Sequence, residues 1–199
     1  MEKGLLIVLS GPSGSGKGTV REVLMQKEQF AFSVSATTRL PRAGEQNDLD
    51  YHFITREDFE GRIAREEMLE YTQYNGNYYG TVKREAIGMI EKGQNLLLEI
   101  EVEGAMNVKR VYPEAVLIML LPPSFAEQEK RLRGRGTESE EVIRGRLART
   151  REEMEYLPYY DYVVYNEDVE ACAEDIRTIV RAERLAMRRH ADAKEAYFG

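Results

Sequence analysis

The sequence predicts an α/β fold, a three-layer arrangement around a central five-stranded parallel sheet. Three observations carry this reading. Leu5–Leu9, Asn95–Ile100 and Val116–Leu121 are short apolar runs, as expected of strands buried on both faces. Amphipathic stretches lie between the runs, and strands alternating with helices imply parallel pairing under helical layers. The first run ends in a glycine-rich turn that leads directly into a helical stretch.

In chain order, Leu5–Leu9 is the first strand and Thr19–Gln26 the first helix. Phe32–Ser35 is a weaker strand candidate. From about Thr37 to Gly80 the rhythm breaks: Pro41, Gly44, Gly76 and Gly80 interrupt a segment carrying Tyr51, Tyr71, Tyr74, Tyr78 and Tyr79. Short strands and one helix fit this segment better than another βαβ unit, and Thr55-x-x-Asp58 is a loose capping box for the helix. It reads as a small insertion closing over a ligand; an elaborate surface loop is the plainer alternative. Asn95–Ile100, Val116–Leu121 and Tyr162–Val164 complete the sheet, the last ending near Asn166. Ser124-x-x-Glu127 and Thr137-x-x-Glu140 are capping boxes that open two further helices.

At 199 residues the chain has the size of one domain with room for a small inserted subdomain. Its formal charge of −7 argues against a general nucleic-acid binder, yet leaves room for a local basic pocket around a small anion. Cys172 is the only cysteine, so neither an internal disulfide nor a cysteine zinc site can form. We expect it to face the core from the last helix. His52 and His190 suggest neither a metal site nor a catalytic triad. The apolar run before Ser10 is too short for a signal peptide, and the longest run, Ala115–Leu121, is too short to span a membrane. These features lead us to expect a cytoplasmic protein with no membrane or nucleic-acid partner; oligomeric state is not legible.

Gly11-Pro12-Ser13-Gly14-Ser15-Gly16-Lys17 has the spacing of a phosphate-binding P-loop, placed between a strand and a helix. Glycines let successive backbone N–H groups face one anion. The following helix aims its positive end at the same point, and Lys17 adds a mobile charge for the β- and γ-phosphates. Gly18 stands where Ser or Thr usually follows the lysine, and Thr19 comes next. A direct hydroxyl contact to Mg²⁺ is therefore in question, and Thr19 or Glu101 is the candidate to approach the ion.

Arg39 and Arg42, pinned by Pro41, offer a second anion site, since a guanidinium fork donates two hydrogen bonds to a phosphate. Spacing alone is equally met by a solvated basic turn. The surrounding run, Ser35-Ala-Thr-Thr-Arg39-Leu-Pro41-Arg42-Ala-Gly-Glu45, resembles guanylate kinases. The likeness continues through Tyr51-His-Phe, Leu69-Glu70-Tyr71, Tyr78-Tyr79-Gly80-Thr81, Leu98 to Ala105, Pro122-Pro-Ser, Arg131 to Ser139 and Val164-x-Asn166, over about Leu5 to Val180.

The resemblance implies a core of residues 1–36 and 82–199, a GMP-binding insertion over 37–81 and a mobile lid over about 134–151. It implies that Arg39, Arg42, Tyr51 and Tyr79 hold the GMP phosphate, with Glu45 in the same site. Ser35, Glu70 and Thr81 would read the guanine edge. A carboxylate suits that task because guanine presents N1–H and N2–H₂ as adjacent donors, which adenine lacks. The family usually has Asp where this chain has Glu101, which we place beside GMP, near Mg²⁺-bound water or against a lid arginine. Glu99 is the neighbouring candidate on the other side of the strand.

Seven arginines crowd the stretch from Arg131 to Arg151, broken by Gly134 and Gly136. A basic helical face is the plain alternative, but the glycines favour a loop between helices. The resemblance singles out Arg135 and Arg146 for catalysis beside Lys17 and Arg39. Arg131, Arg135 and Asn166 would contact ATP together with the P-loop, including Gly18 and Thr19. The remaining arginines are expected to be surface charges paired with Glu138, Glu140, Glu141, Glu152 and Glu153.

The implied reaction is ATP + GMP ⇌ ADP + GDP with Mg²⁺, and dGMP as a further acceptor. A phosphate monoester is largely ionised at neutral pH, its second pKa being about 6, so no general base is needed. Two rivals are a non-catalytic module of the same fold that binds phosphopeptides, and a kinase for another small phosphorylated acceptor.

Overall fold

The computed structural model describes residues 3–74, 76–134, 136 and 139–199. The chain runs β1 (Leu6–Ser10), α1 (Lys17–Lys27), β2 (Phe30–Ala31), β3 (Ala36–Thr37), β4 (His52–Phe53), α2 (Arg56–Ala64), β5 (Met68–Tyr74) and β6 (Asn77–Val82). It continues through α3 (Lys83–Glu91), β7 (Asn95–Glu99), α4 (Val102–Val111), β8 (Val116–Leu121), α5 (Phe125–Gly134), α6 (Glu140–Met154), β9 (Tyr162–Tyr165), α7 (Val169–Arg184) and the short α8 (Ala193–Phe198).

Five parallel strands form the central sheet in the order β2–β7–β1–β8–β9. Alternation along β1 sorts its side chains into two cores. Ile7 and Leu9 join Val20 and Leu24 of α1 and Ile176 and Val180 of α7. Leu6 and Val8 join Ala86 and Ile90 of α3 and Ala105 and Val108 of α4. A strand buried on both faces needs this continuous apolar composition, and each such Leu or Ile contributes about 1.5–3 kcal/mol by burial.

Two strand boundaries differ from the sequence reading. The second strand is Phe30–Ala31 rather than Phe32–Ser35, because Phe30 enters the core while Phe32 remains 53% exposed. β7 ends at Glu99; Ile100 and Glu101 leave the sheet, and Glu101 precedes the first residue of α4. The helix starts at Ser124 and Thr55 hold. Ser124 Oγ accepts from the Glu127 amide at 3.1 Å, and Thr55 Oγ1 from that of Asp58 at 3.1 Å. At α6 the cap is Ser139, which accepts from the Val142 amide; Thr137 lies outside the described residues. Cys172 is buried, as expected, though on α7 rather than on the final helix.

The segment between β2 and α3 forms a second sheet, in the order β4–β3–β6–β5, with β6 antiparallel to both its neighbours. Helix α2 covers it. Phe59 of α2 is fully buried and stacks on Tyr78 at a centroid distance of 5.0 Å, packed with Ala36, Met68 and Val82. Among the described residues no helix is long and apolar enough to cross a membrane.

Candidate active site

The carboxyl ends of the central strands gather the expected phosphate site, where open α/β sheets bind ligands. The loop after β1 curls through Gly14 and Gly16, both with positive φ, into the first turn of α1. Lys17 folds back so that Nζ donates to the carbonyl oxygen of Gly11 at 2.5 Å and to that of Pro12 at 3.4 Å. Its ammonium thus lies over the loop. Ser15 Oγ is buried with no hydrogen-bond partner among the described residues. Thr19 is exposed on the first turn of α1.

Asn166, at the end of β9, is buried and donates from Nδ2 to the Ser15 carbonyl at 2.8 Å. Arg131 in turn donates to the Asn166 carbonyl at 2.9 Å. Both residues therefore brace the phosphate loop from behind. Arg146 of α6 donates from Nη1 to Ser13 Oγ at 2.8 Å, which brings the lid segment onto the loop. Arg135 lies outside the described residues.

The second sheet assembles the other site. Glu70 of β5 is only 6% exposed, and its Oε1 accepts from Thr81 Oγ1 at 2.8 Å across the β5–β6 ladder. Burial pushes the Glu70 carboxyl above its ordinary range, against the bond from Thr81. Gly104 of α4 makes this possible, since a Cβ there would sit 3.2 Å from Glu70 Oε2. β3 pairs Ala36 with Gly80, and one further step of that register sets Ser35 opposite Thr81.

Arg39 forms a two-pronged bond to Glu45, both contacts at 2.9 Å, and lies over the rings of Tyr51 and Phe53. Tyr51 packs edge-on against Tyr79. Glu45 also accepts from the Arg42 backbone amide at 2.7 Å. Those bonds hold the Glu45 carboxyl down at about 2. Its visible task is to orient Arg39, while the Arg42 side chain is exposed.

Glu101 is 53% exposed and pairs with Arg149 of α6 at 3.0 Å. Of the expected roles, contact with a lid arginine is the one seen, though the partner is Arg149. Arg149 also pairs with Glu153, whose carboxyl is raised by burial and by Glu101 and lowered by Arg149 and Lys17. Glu99 pairs with Arg21 at 3.3 Å, beside Gly18. The expected glutamate partners appear for Arg133 and Arg144, both with Glu140, and for Arg149, with Glu153; Arg133 also takes Glu129, and Arg151 lies over the Phe125 ring. Among the described residues no group of three His, Cys, Asp or Glu could ligate a metal.

An intact phosphate loop follows the central sheet, and a buried Glu70–Thr81 pair lies on the second sheet. The guanylate kinase family model matches residues 3–183. This chain belongs to the guanylate kinase family. It is 50% identical to the guanylate kinase of Halalkalibacterium halodurans, over 94% of this chain and 93% of that protein. It is 47% identical to that of Bacillus subtilis, over 94% and 93%. The crystal structure of guanylate kinase from Anaplasma phagocytophilum superposes with a TM-score of 0.75 at 33% identity, covering 98% of this chain and 94% of that one.

The sequence reading missed Gln128 and Thr150, buried between α5, α6 and the phosphate loop. The available signal was a lone amide four residues before Leu132, on the one buried stripe of a highly charged helix.

Proposed function

We infer that the protein transfers the γ-phosphoryl group of ATP to GMP, giving ADP and GDP in nucleotide metabolism. Family membership supports this, and one observation carries it to the residues: a phosphate loop coexists with a buried carboxylate whose shape of acceptors matches guanine. Site roles follow. The P-loop amides and Lys17 take the ATP phosphates. Arg39 and Arg42, with Tyr51 and Tyr79, take the GMP phosphate. Ser35, Glu70 and Thr81 read the base, and dGMP is a further acceptor because these contacts do not involve the sugar. Arg146, with Arg135, balances charge on the transferring group. Closure of the 37–81 insertion over the core, against a 134–151 lid whose α6 part is already held on the phosphate loop, excludes water.

Mg²⁺ fits this site only in part. Of the two expected residues, Thr19 offers an exposed hydroxyl and Glu101 is paired with Arg149, too few donors to enclose the ion, so nucleotide phosphates and water supply most of its shell. When bound, it neutralises phosphate charge. We assign the enzyme to the cytoplasm, where a lone free Cys172 is at home.

The test is ADP release from ATP with GMP, dGMP, AMP, UMP or CMP offered separately. Turnover with GMP, weaker turnover with dGMP and none with the others is expected. Turnover with another acceptor would keep the kinase and remove the guanine-reading role of Glu70. GMP binding without turnover would revive a binding module.

A further inference from the structure

A closed ring of hydrogen bonds joins the phosphate loop to two helices. Gln128 Nε2 of α5 donates to the Ser13 carbonyl at 2.9 Å and to Thr150 Oγ1 of α6 at 2.7 Å. Thr150 Oγ1 donates to the Arg146 carbonyl at 3.0 Å, and Arg146 Nη1 returns to Ser13 Oγ at 2.8 Å. Gln128 is 1% exposed, so water cannot replace these bonds.

The chemistry of the loop gives the ring a purpose. A trans peptide sets its C=O and N–H on opposite sides. Fixing the Ser13 oxygen toward α5 therefore turns the Gly14 N–H the other way. Gly14 has a φ of 85° and no side chain to resist rotation of that peptide. If it turned over, a carbonyl oxygen would replace an N–H donor in front of an anion.

We propose that Gln128 is a positioning residue that locks the Ser13–Gly14 peptide with its N–H facing the phosphates, and through Thr150 fixes the α6 backbone at Arg146 in the same act. The inference rests on the reading of this loop as the ATP site. It makes the phosphate loop and α6 one unit before nucleotide arrives.

The experiment uses the full chain and measures the Kd for ATP by calorimetry, beside KM for ATP and for GMP and the melting temperature. Gln128→Leu keeps the volume and removes both bonds. It is expected to weaken ATP binding about five- to tenfold while leaving KM for GMP within about twofold, the loss of a buried hydrogen bond expressed at one substrate. Thr150→Val should follow it, and Thr150→Ser, which keeps the hydroxyl, should resemble the parent. Unchanged ATP affinity in Gln128→Leu, or equal losses for ATP and GMP with a lowered melting temperature, overturns the proposal. If Gln128→Leu does not fold, the Val/Ser pair at Thr150 decides the same way. A parent that binds ATP but does not phosphorylate GMP would fail the functional reading alone, since ATP affinity is read without turnover.

Discussion

Thr81 Oγ1 donates to Glu70 Oε1 across two antiparallel strands, and together with a bond from the Thr81 backbone it aims a buried carboxylate to which no cation is bonded among the described residues. The arrangement is costly without ligand and useful with it. On the proposed reading, a guanine edge brings two further N–H donors to this carboxylate.

Glu70→Gln should raise KM for GMP by at least about tenfold and leave KM for ATP nearly unchanged, because the amide presents a donor where guanine also donates. The same change should stabilise the empty protein at neutral pH. The folded Glu70 carboxyl is raised by burial. Its contribution to stability is therefore fully present below the ordinary carboxylate value of 4.5 and is lost as pH rises through the raised value. Thermal melts should show Gln above the parent at pH 7, with the gap closing toward pH 4. A gap that widens in acid would mean that burial does not govern this carboxyl.

Glu45→Ala should raise KM for GMP several-fold, although it removes a negative charge from beside a phosphate site. The reason is geometric. Glu45 grips both ends of the Arg39 fork and the Arg42 amide, and a loose guanidinium loses orientation. Because the Glu45 carboxyl titrates at about 2, the acid limb of activity should be the same in the parent and in Glu45→Gln. A lower KM in Glu45→Ala would show that simple repulsion dominates.

Lys17→Met should lower kcat at least tenfold in a protein that melts at nearly the parent temperature. The ammonium caps the Gly11 and Pro12 carbonyls, bonds at the rim of the loop rather than in the core. Its large effect belongs to the charge it brings to the transferring phosphate. Normal turnover in the variant would remove Lys17 from that role.

The central strands β1 and β8 were legible because each is a continuous apolar run, the composition that burial on both faces requires. The phosphate loop was legible because its spacing is dictated by backbone chemistry. Glu101 was harder. Its separation from β7 depends on where the strand yields to α4, and no residue type marks that point. Gln128 was hardest, since its importance lies in a carbonyl more than a hundred positions away. The likeness to a family implies roles toward substrates for particular side chains, but not which side chains hold the phosphate loop in place.

Gly16→Ala should be the most damaging small change in the loop. Gly16 has a φ of 90°, which an alanine adopts only at a cost of about 1–2 kcal/mol. Its new Cβ would lie 2.3 Å from Asn166 Nδ2, the atom that holds the Ser15 carbonyl. The asparagine must move, and the loop loses its brace as well as its dihedral. ATP binding should fall by about a hundredfold or more, since the amides at the start of α1 no longer converge. The double variant Gly16→Ala/Asn166→Ala separates the two causes. Removing the amide relieves the clash, so the double variant should be less destabilised than the sum of the single changes, as neighbouring sites usually behave. Strict additivity in denaturant titrations would show that the φ penalty acts alone and that Asn166 does not press on Gly16.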